Sequence, residues 1–196
     1  SSYQKPKKLT PERWKADKQK LIDKYNEHGY RDAVILSDSV WNVDDKHVSI
    51  NIKVDEGKKY FVRNITWVGN TVYSSDYLAS VLGMKKGDVY NQKLMNKRLT
   101  EDEDAVGNNY WNNGYLFYSL HPTEINIVGD SIDLEMRIFE GPQAHINHVR
   151  INGNDRLYEN VVRRELRTKP GDLFSKEALQ RSAREIASMG HFDPEK

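Results

Sequence analysis

The chain has 196 residues, and its 30 basic and 29 acidic residues leave a formal net charge of +1. A charge balance this close to zero provides no broad positive field for nucleic acid or anionic lipid. The chain contains no cysteine, which excludes disulfides, thiol catalysis and cysteine-based zinc sites.

The first predicted elements are a helix and two strands. Thr10 is a typical N-cap and Pro11 a typical first helical residue, and the helix is expected to end at Gly29. One strand follows over Ala33 to Trp41, and a second covers the alternating apolar residues from Val48 to Val54.

The next stretch predicts a strand followed by two helices. Tyr60 to Val68 is rich in β-branched and aromatic residues, which favours a strand. Ser74 or Ser75 is expected to cap a short helix, and Asn91 to cap a longer one that ends at Gly114.

Two further strands close this central stretch. Leu116 to Val128 is a predicted strand that is broken or bulged near Pro122, which marks it as an edge. In the last strand Ile132, Leu134, Met136 and Ile138 alternate with Asp133, Glu135 and Arg137, a pattern that predicts one buried and one solvated face. The order β-α-α-β-β predicts an α+β fold, with two helices covering one face of a three-stranded sheet.

The C-terminal stretch repeats the first half of this order. We expect a strand over Ala144 to Ile151 and a helix that carries Val161, Val162 and Leu166. A second helix, capped by Ser175, carries Leu179, Ala183 and Ile186.

Four sequence blocks recur in one order and divide the chain. The blocks that begin at Ile65, Leu82 and Val54 recur 84 residues later, and the block Tyr25–Tyr30 recurs 85 residues later at Tyr110–Tyr115. A period this long indicates tandem small domains rather than a solenoid. The predicted domains are 1–57, which is partial, 58–141, which is complete, and 142–196, which is partial.

Four short signatures carry a family resemblance. They are Gly69-Asn70 after the first strand, the Lys-x-Gly-Asp of residues 85–88, Gly114-Tyr115 after the second helix, and the closing Glu140-Gly141. These signatures resemble the POTRA (polypeptide-transport-associated) domain. The stretch from Leu173 to Asp193 is most similar to the membrane-proximal POTRA domain of BamA-like outer-membrane assembly factors. The resemblance implies part of a third, all of a fourth and part of a fifth domain.

The resemblance also implies a function. A BamA-like POTRA arm is periplasmic, is tethered to its own outer-membrane barrel, docks accessory lipoproteins and binds unfolded outer-membrane protein clients. It is not an enzyme and needs no cofactor. Clients are thought to bind by β-augmentation, in which an extended segment pairs with an exposed sheet edge. The residues expected at such edges are Ala33, Ile35, Ser37, Leu116, Tyr118, Leu120, Ile125 and Ile127, and Gly57 and Gly141 are expected to shape the interdomain joints.

The edges have an alternative interpretation that the sequence leaves open. Every open sheet has edges, and Pro122, His121 and Asp38 are residues that ordinarily protect them against aggregation. Within the same fold, a secretion transporter of the two-partner type is the second candidate. A repeat-built periplasmic enzyme or peptidoglycan-binding protein is a third, and it lacks a set of convergent polar residues.

Three side-chain groupings could suggest a metal or catalytic site. His145 and His148 lie three apart in a predicted strand and therefore point to opposite faces, and His191 with Asp193 offers no third ligand. Asp102 and Asp104 are interpreted as part of a solvated helix face. We therefore expect no metal site.

The two partial domains are nearly complementary in the elements they contain. A half-domain of about 50 residues is marginal alone. Two chains could cover each other's halves, so the sequence also predicts a homodimer formed through its terminal parts.

Overall fold

The computed structural model describes residues 10–148 and 171–188. The elements in chain order are α1 (Pro11–Glu27), β1 (Val34–Asn42), β2 (Val48–Asp55), β3 (Phe61–Val68), α2 (Ser75–Leu82), α3 (Gln92–Asn96), a π-helical segment (Lys97–Glu101), α4 (Val106–Trp111), β4 (Ser119–Val128), β5 (Ser131–Phe139) and α5 (Lys176–Ser188). The elements from β3 to β5 follow the predicted order, and the predicted α+β class is confirmed. Among the described residues no helix is both long and apolar enough to cross a membrane.

The strands in the described part of the chain form two sheets. β1 and β2 make an antiparallel pair whose register is interrupted by a β-bulge between Ile35 and Ser37. A bulge adds one residue to a strand. The spacing between equivalent residues of the two repeats is 85 before this hairpin and 84 after it, so the first repeat has one extra residue here, the number that a bulge adds. The second sheet has the order β3-β5-β4, so β5 is its central strand and β3 and β4 are its edges.

The chain divides by its internal contacts into two compact units. Unit 1 contains the residues up to Ile65, Met84–Asn96 and Glu124–Leu134; unit 2 contains Thr66–Gly83, Lys97–Thr123 and the residues from Glu135 onward. The division passes through all three strands of the second sheet. It therefore does not follow the ends of the sequence repeats.

Unit 1 begins with a capped helix that packs against α3 and β1. The Thr10 hydroxyl accepts the backbone N–H of Arg13 at 3.2 Å, and Pro11 opens the helix as predicted. Asn91 caps α3 by accepting the N–H of Leu94 at 2.9 Å. No residue of α1 is fully buried. From residue 10 onward, the buried apolar residues of unit 1 are Ala33, Tyr60, Val62, Met84, Tyr90, Met95, Ile132 and Leu134.

Unit 2 has a core built from aliphatic side chains and tyrosines. Ser74 caps α2 by accepting the N–H of Tyr77 at 3.1 Å, and Gly83 ends that helix in the left-handed conformation. Tyr110 is fully buried and stacks on Tyr118 with ring centroids 4.3 Å apart. The remaining buried apolar residues among those described in unit 2 are Leu78, Leu82, Leu99, Ala105, Val106, Met136 and Ile138.

The longer helix predicted from Asn91 to Gly114 is wrong, because it is interrupted between α3 and α4. A π-helical segment follows α3, and residues 102–105 leave the helix. The Arg98 guanidinium donates to the carboxylates of Asp102 and Asp104 and to the two backbone carbonyls at the end of α2. The two aspartates do not lie on a helix face, because residues 102–105 are not helical; both bind Arg98, and Asp104 is solvated with 77% of its side chain exposed.

The predicted solvated face of β5 needs a second correction. Asp133 is buried, and Arg63 donates to its two carboxylate oxygens at 2.8 and 2.7 Å. The N–H of Asn64 adds a third bond at 3.1 Å. The Arg63 guanidinium holds the pKa of Asp133 below its usual range. A bidentate pair of this kind removes a charge from water without leaving it unpaired.

The C-terminal predictions fall only partly within the described residues. α5 confirms the last predicted helix, and the Ser175 hydroxyl accepts a backbone N–H of its first turn. Of the predicted strand Ala144–Ile151 the structure describes residues up to His148, where His145 forms an isolated bridge with Leu173. The predicted helix around Val161 lies outside the described residues.

Candidate strand-binding edges and joints

The two edges of the second sheet differ in what covers them. Along β3, the first edge, the turn over residues 85–90 runs beside the start of the strand. Val62 donates to the Asp88 carbonyl at 2.8 Å and accepts from the Gly87 N–H at 2.8 Å, and Tyr90 donates to the Tyr60 carbonyl at 2.9 Å. The Lys-x-Gly-Asp signature therefore occupies the backbone groups that would otherwise receive another strand at this end of β3.

The other edge, β4, has no such cover in the part of the chain that the structure describes, where its only strand neighbour is β5. Ile125 and Ile127 lie in this strand with 48% and 41% of their surfaces exposed. Pro122 lacks an N–H, so the stretch that can offer a continuous row of backbone donors is Thr123–Val128.

Three of the residues predicted at edges lie outside the strands. Leu116 is in the turn before β4, and Tyr118 is a buried core residue that directly precedes the strand. Ala33 is likewise buried just before β1. The predicted strands were too long at these ends because Ala33 and Tyr118 belong to the core and residues 116–117 form a turn.

The remaining predicted edge residues lie within strands. Leu120 is in β4 and is half-buried, and Ile35 and Ser37 are in β1 on either side of the bulge. The bulged residue between them, Leu36, is exposed. Because bulges twist an edge and disrupt its regular row of donors and acceptors, β1 offers a poorer template for strand addition than β4.

The end of the second helix of one repeat meets the start of the next repeat in two places that we call joints. Joint 1 comprises the contacts of residues 27–32 with residues 57–62, 88–93 and Glu124. Joint 2 comprises the contacts of residues 108–117 with residues 141–146 and 172–177. Joint 1 lies within unit 1 and joint 2 within unit 2.

The two joints have the same backbone hydrogen bonds at equivalent positions. In joint 1 Tyr60 donates to the Gly29 carbonyl at 2.8 Å, and in joint 2 Ala144 donates to the Gly114 carbonyl at 2.6 Å. The strand-blocking turn is also repeated: Ile146 donates to Asp172 at 2.8 Å, Gly171 to Ile146 at 2.7 Å and Phe174 to Ala144 at 2.9 Å. The sequence repeat thus encodes the joints as well as the domains.

Gly29 and Gly114 are joint residues that the sequence indicated only as helix ends. Both have positive φ, +90° and +87°. A Cβ at Gly29 would lie 2.9 Å from the Tyr60 carbonyl oxygen, and one at Gly114 would lie 3.0 Å from the Leu173 side chain. The recurring Gly-Tyr block indicated that these glycines are important to the repeat, but one sequence does not show which residues they contact.

Gly57 and Gly141 also lie at the joints. Their φ values are +67° and +68°. A Cβ would approach Asp32 at Gly57 and Phe117 at Gly141, and these contacts are again equivalent under the repeat. Their effect on the angle between domains stays a prediction.

Glu140, from the Glu-Gly signature, binds the loop after β3 through hydrogen bonds. Its carboxylate accepts the N–H groups of Thr71 and Val72 at 2.9 and 3.0 Å, the Thr71 hydroxyl at 2.6 Å and the Tyr110 hydroxyl at 2.8 Å. Burial alone raises the pKa of Glu140, but these hydrogen bonds together hold it below its usual value. This arrangement stabilises the fold, since every oxygen acceptor is used internally.

The described residues, 10–148 and 171–188, contain no candidate metal site, and the two asparagine amides that line a polar hollow there are already paired. No group of three or more His, Asp or Glu side chains there could hold a metal ion. A polar hollow of about 280 Å³ in unit 2 is lined by Asn108 and Asn109, but both amides donate to nearby backbone carbonyls. His191 and Asp193 lie outside the described residues.

A protein-family comparison decides the family. The POTRA family model, described as "Surface antigen variable number repeat", matches residues 1–57, 60–141 and 144–196. The chain belongs to the POTRA family. The predicted resemblance is thereby confirmed, and three of its four signatures, Lys-x-Gly-Asp, Gly114-Tyr115 and Glu140-Gly141, have the structural roles described above.

Curated relatives of this POTRA chain include two proteins named outer membrane protein assembly factor BamA. The protein of Neisseria meningitidis serogroup B (strain ATCC BAA-335 / MC58) is 30% identical over 179 residues, which is 90% of this chain and 22% of that protein. The protein of Nitratidesulfovibrio vulgaris is 26% identical over 166 residues, 84% of this chain and 21% of that protein. The chain spans about a fifth of the length of these relatives.

Solved POTRA structures have the same fold. The crystal structure of Haemophilus influenzae BamA POTRA3-5 matches with a TM-score of 0.74 and 20% identity, over 96% of this chain and 74% of that chain. BamA from Haemophilus ducreyi lacking POTRA domains 1-3 matches with a TM-score of 0.52 and 18% identity, over 71% of this chain and 25% of that chain. At these identities the likeness shows the fold.

Proposed function

We propose that this chain is part of the periplasmic POTRA arm of an outer-membrane protein assembly factor and binds unfolded outer-membrane protein clients by adding a client strand to β4. The observation that carries the proposal is the difference between the two edges of one sheet. The start of β3 is occupied by the turn over residues 85–90, whereas β4 pairs only with β5 among the described residues.

The chemistry of strand addition suits a partner with many clients. Backbone hydrogen bonds supply the affinity, and alternate side chains supply a modest preference. On β4 those bonds would come from Thr123–Val128, beyond Pro122. The exposed Ile125 and Ile127 add an apolar contact for the alternating residues of an outer-membrane strand. β1 is the weaker second edge because of its bulge.

The domain division and location belong to the same proposal. The family matches support domains at 1–57, 58–141 and 142–196. The likeness to POTRA3-5 supports part of a third, all of a fourth and part of a fifth domain. Relatives named outer membrane protein assembly factor support a periplasmic location. A non-enzymatic role and the docking of accessory lipoproteins are further parts of the proposal.

A homodimer is a separate part of the proposal. Val48 and Ile50 on β2 are more than two fifths exposed, so this strand carries apolar surface that a second copy could cover. Sedimentation at micromolar concentration tests it. A dimer supports pairing of the terminal parts, and a monomer alone contradicts it.

The test of client binding is a backbone amide NMR titration with an extended peptide of alternating apolar and polar residues, beside a proline-broken control peptide. We expect shifts concentrated on Thr123–Val128 with the first peptide only. Shifts on β3, shifts with both peptides, or none at millimolar peptide would contradict the proposal.

A matched pair of variants sharpens this test. Ile125→Lys places a charge on the open edge, and Val68→Lys places one on β3, where the residue is equally exposed at 47%. Lysine is a residue that protects edges against pairing. We therefore expect Ile125→Lys to weaken peptide binding about tenfold and Val68→Lys to leave it unchanged within about twofold.

A further inference from the structure

The two joints share their backbone hydrogen bonds but differ in the side chains around them. We propose that joint 1 is a charge-dependent latch, formed by Arg31, Asp32, Tyr60, Tyr90 and Glu124, whereas the side-chain contacts that the structure describes in joint 2 use neutral acceptors. The inference goes beyond client binding, because it concerns the joints between repeats. Joint 1 should open more readily at high salt or when a charged side chain is removed, and joint 2 should not.

Arg31 and Glu124 form the centre of the latch. Arg31 donates through Nε to one carboxylate oxygen of Glu124 at 2.9 Å and through a terminal nitrogen to the other. The Tyr90 hydroxyl donates to the same carboxylate at 2.9 Å. Both charged side chains are about a quarter exposed. This bidentate pair joins residues 93 positions apart, so it closes the joint rather than a local turn.

Asp32 and Tyr60 complete the latch beside this pair. The Tyr60 hydroxyl donates to Asp32 at 2.9 Å, and Arg31 donates to the other oxygen of Asp32 at 3.0 Å. The Arg31 guanidinium also lies 5.4 Å from the centre of the Tyr60 ring. Since Tyr60 supplies the backbone N–H that binds Gly29, its side chain and backbone are held by the same neighbours.

A second charge pair lies at the helix ends of joint 1. Glu27, the last residue of α1, binds Lys93 of α3 at 2.7 Å. Lys93 and Lys24 lower the pKa of Glu27. This pair is outside the latch as defined, and it adds to the dependence of joint 1 on charge.

Joint 2 has apolar residues at the positions equivalent to four of the five latch residues. Leu116 and Phe117 replace Arg31 and Asp32, and Ala144 and Phe174 replace Tyr60 and Tyr90.

The helix ends of joint 2 meet through an amide. The Asn112 side chain accepts the backbone N–H of Glu177 at 2.9 Å, at the positions that Glu27 and Lys93 occupy in joint 1. Lys176 donates to the Asn108 amide oxygen at 3.2 Å and lies 4.8 Å from the Trp111 ring centre. These acceptors are neutral.

Amide hydrogen exchange can report on each joint within one molecule. The N–H of Tyr60 and the N–H of Ala144 each cross a joint, so their exchange reports its opening. The N–H groups of Val62 and Ile146 bond within one repeat and serve as matched internal controls. The proposal predicts that Tyr60 exchanges about threefold faster in 1 M than in 0.05 M salt, with the other three amides unchanged.

Charge removal gives the larger expected effect. Arg31→Gln and Glu124→Gln should each speed exchange of the Tyr60 amide about tenfold, and the double variant should be no faster than the faster single variant. Arg137→Gln is the matched control, since Arg137 forms a surface pair with Glu135 at 2.7 Å away from both joints. It should leave Tyr60 unchanged.

Three results would overturn the latch. The first is an unchanged Tyr60 amide in both single variants, and the second is an Ala144 amide that responds to salt as strongly as Tyr60. The third is equal acceleration of Val62, because this would mean that the repeat itself unfolds. Faster exchange at Tyr60 alone supports the proposal whether or not β4 binds clients.

Discussion

β2 and β5 carry the same alternating pattern at equivalent positions of two repeats, yet only β5 is buried. Val48 and Ile50 are 45% and 43% exposed, whereas their equivalents Ile132 and Leu134 are 0% and 1% exposed. Among the residues that the structure describes, β5 has a strand on each side and β2 pairs with one strand, β1. Alternation therefore identifies a strand and its apolar face, but the depth of burial depends on how many elements pack there.

Truncating one residue in each strand provides the largest test of this comparison. Leu134→Ala should lower the free energy of unfolding by about 3 kcal/mol, because it leaves a cavity in a closed core. Ile50→Ala should lower it by about 1 kcal/mol or less, because half the side chain is already in water. Urea denaturation of both variants measures the difference, with unchanged m-values as the check that the two-state treatment holds. Equal losses would mean that the face of β2 is covered in solution.

Local chemistry explains what the sequence could predict of the fold. The caps Thr10, Ser74 and Asn91 act on backbone N–H groups three residues away, so their role is visible in a short window. The end of the second helix at Gly114 and the alternation in β5 are equally local. These predictions required no knowledge of tertiary contacts.

Long-range pairs explain what the sequence could not predict. Asp133 is buried because Arg63, 70 residues away, binds it. Leu99 and Val106 are seven residues apart, which is two helical turns, so periodicity gave no sign of the break between them. Arg98 makes that break compatible with the fold by reaching the carbonyls that end α2.

The candidate strand-binding edges also combine a local feature that the sequence predicts with long-range contacts that it does not. Pro122 indicated that β4 is an edge, which is a local inference. That the Lys-x-Gly-Asp turn occupies the start of β3 depends on contacts between residues 60–62 and 87–90. Only the structure therefore distinguishes the two edges of the sheet.

The glutamates that follow β2 and β5 give a second, smaller test. Glu140→Gln should lower the free energy of unfolding by about 1.5 kcal/mol at neutral pH, because hydrogen bonds to a charged acceptor are stronger than those to a neutral one. Glu56 is exposed, and Glu56→Gln should stay within about 0.5 kcal/mol. Chemical denaturation at pH 7 compares the two variants.

The pH dependence of the Glu140 effect has a definite sign. The folded pKa of Glu140 lies below its usual value, so the unfolded chain binds this proton more readily. The contribution is complete above the unfolded pKa of about 4.3 and is lost as the pH falls through the lower folded pKa. The gap between the parent chain and Glu140→Gln should therefore narrow below about pH 4. A gap that widens in acid would contradict this role of Glu140.

The caps of α1 and α2 provide the smallest test, because the local contacts are alike and the packing is not. Ser74 and Thr10 each accept one first-turn N–H, but α2 buries Leu78 and Leu82 while α1 buries no residue fully. Ser74→Ala should lower global stability by about 1 kcal/mol. Thr10→Ala should instead fray the first turn of α1, seen as faster exchange of the Arg13 amide, and shift the global midpoint little. If both variants shift the midpoint equally, α1 unfolds together with the core. The sheet of β1 and β2, which lies in the same unit as α1, would then be part of one cooperative unit although β2 is more exposed than β5.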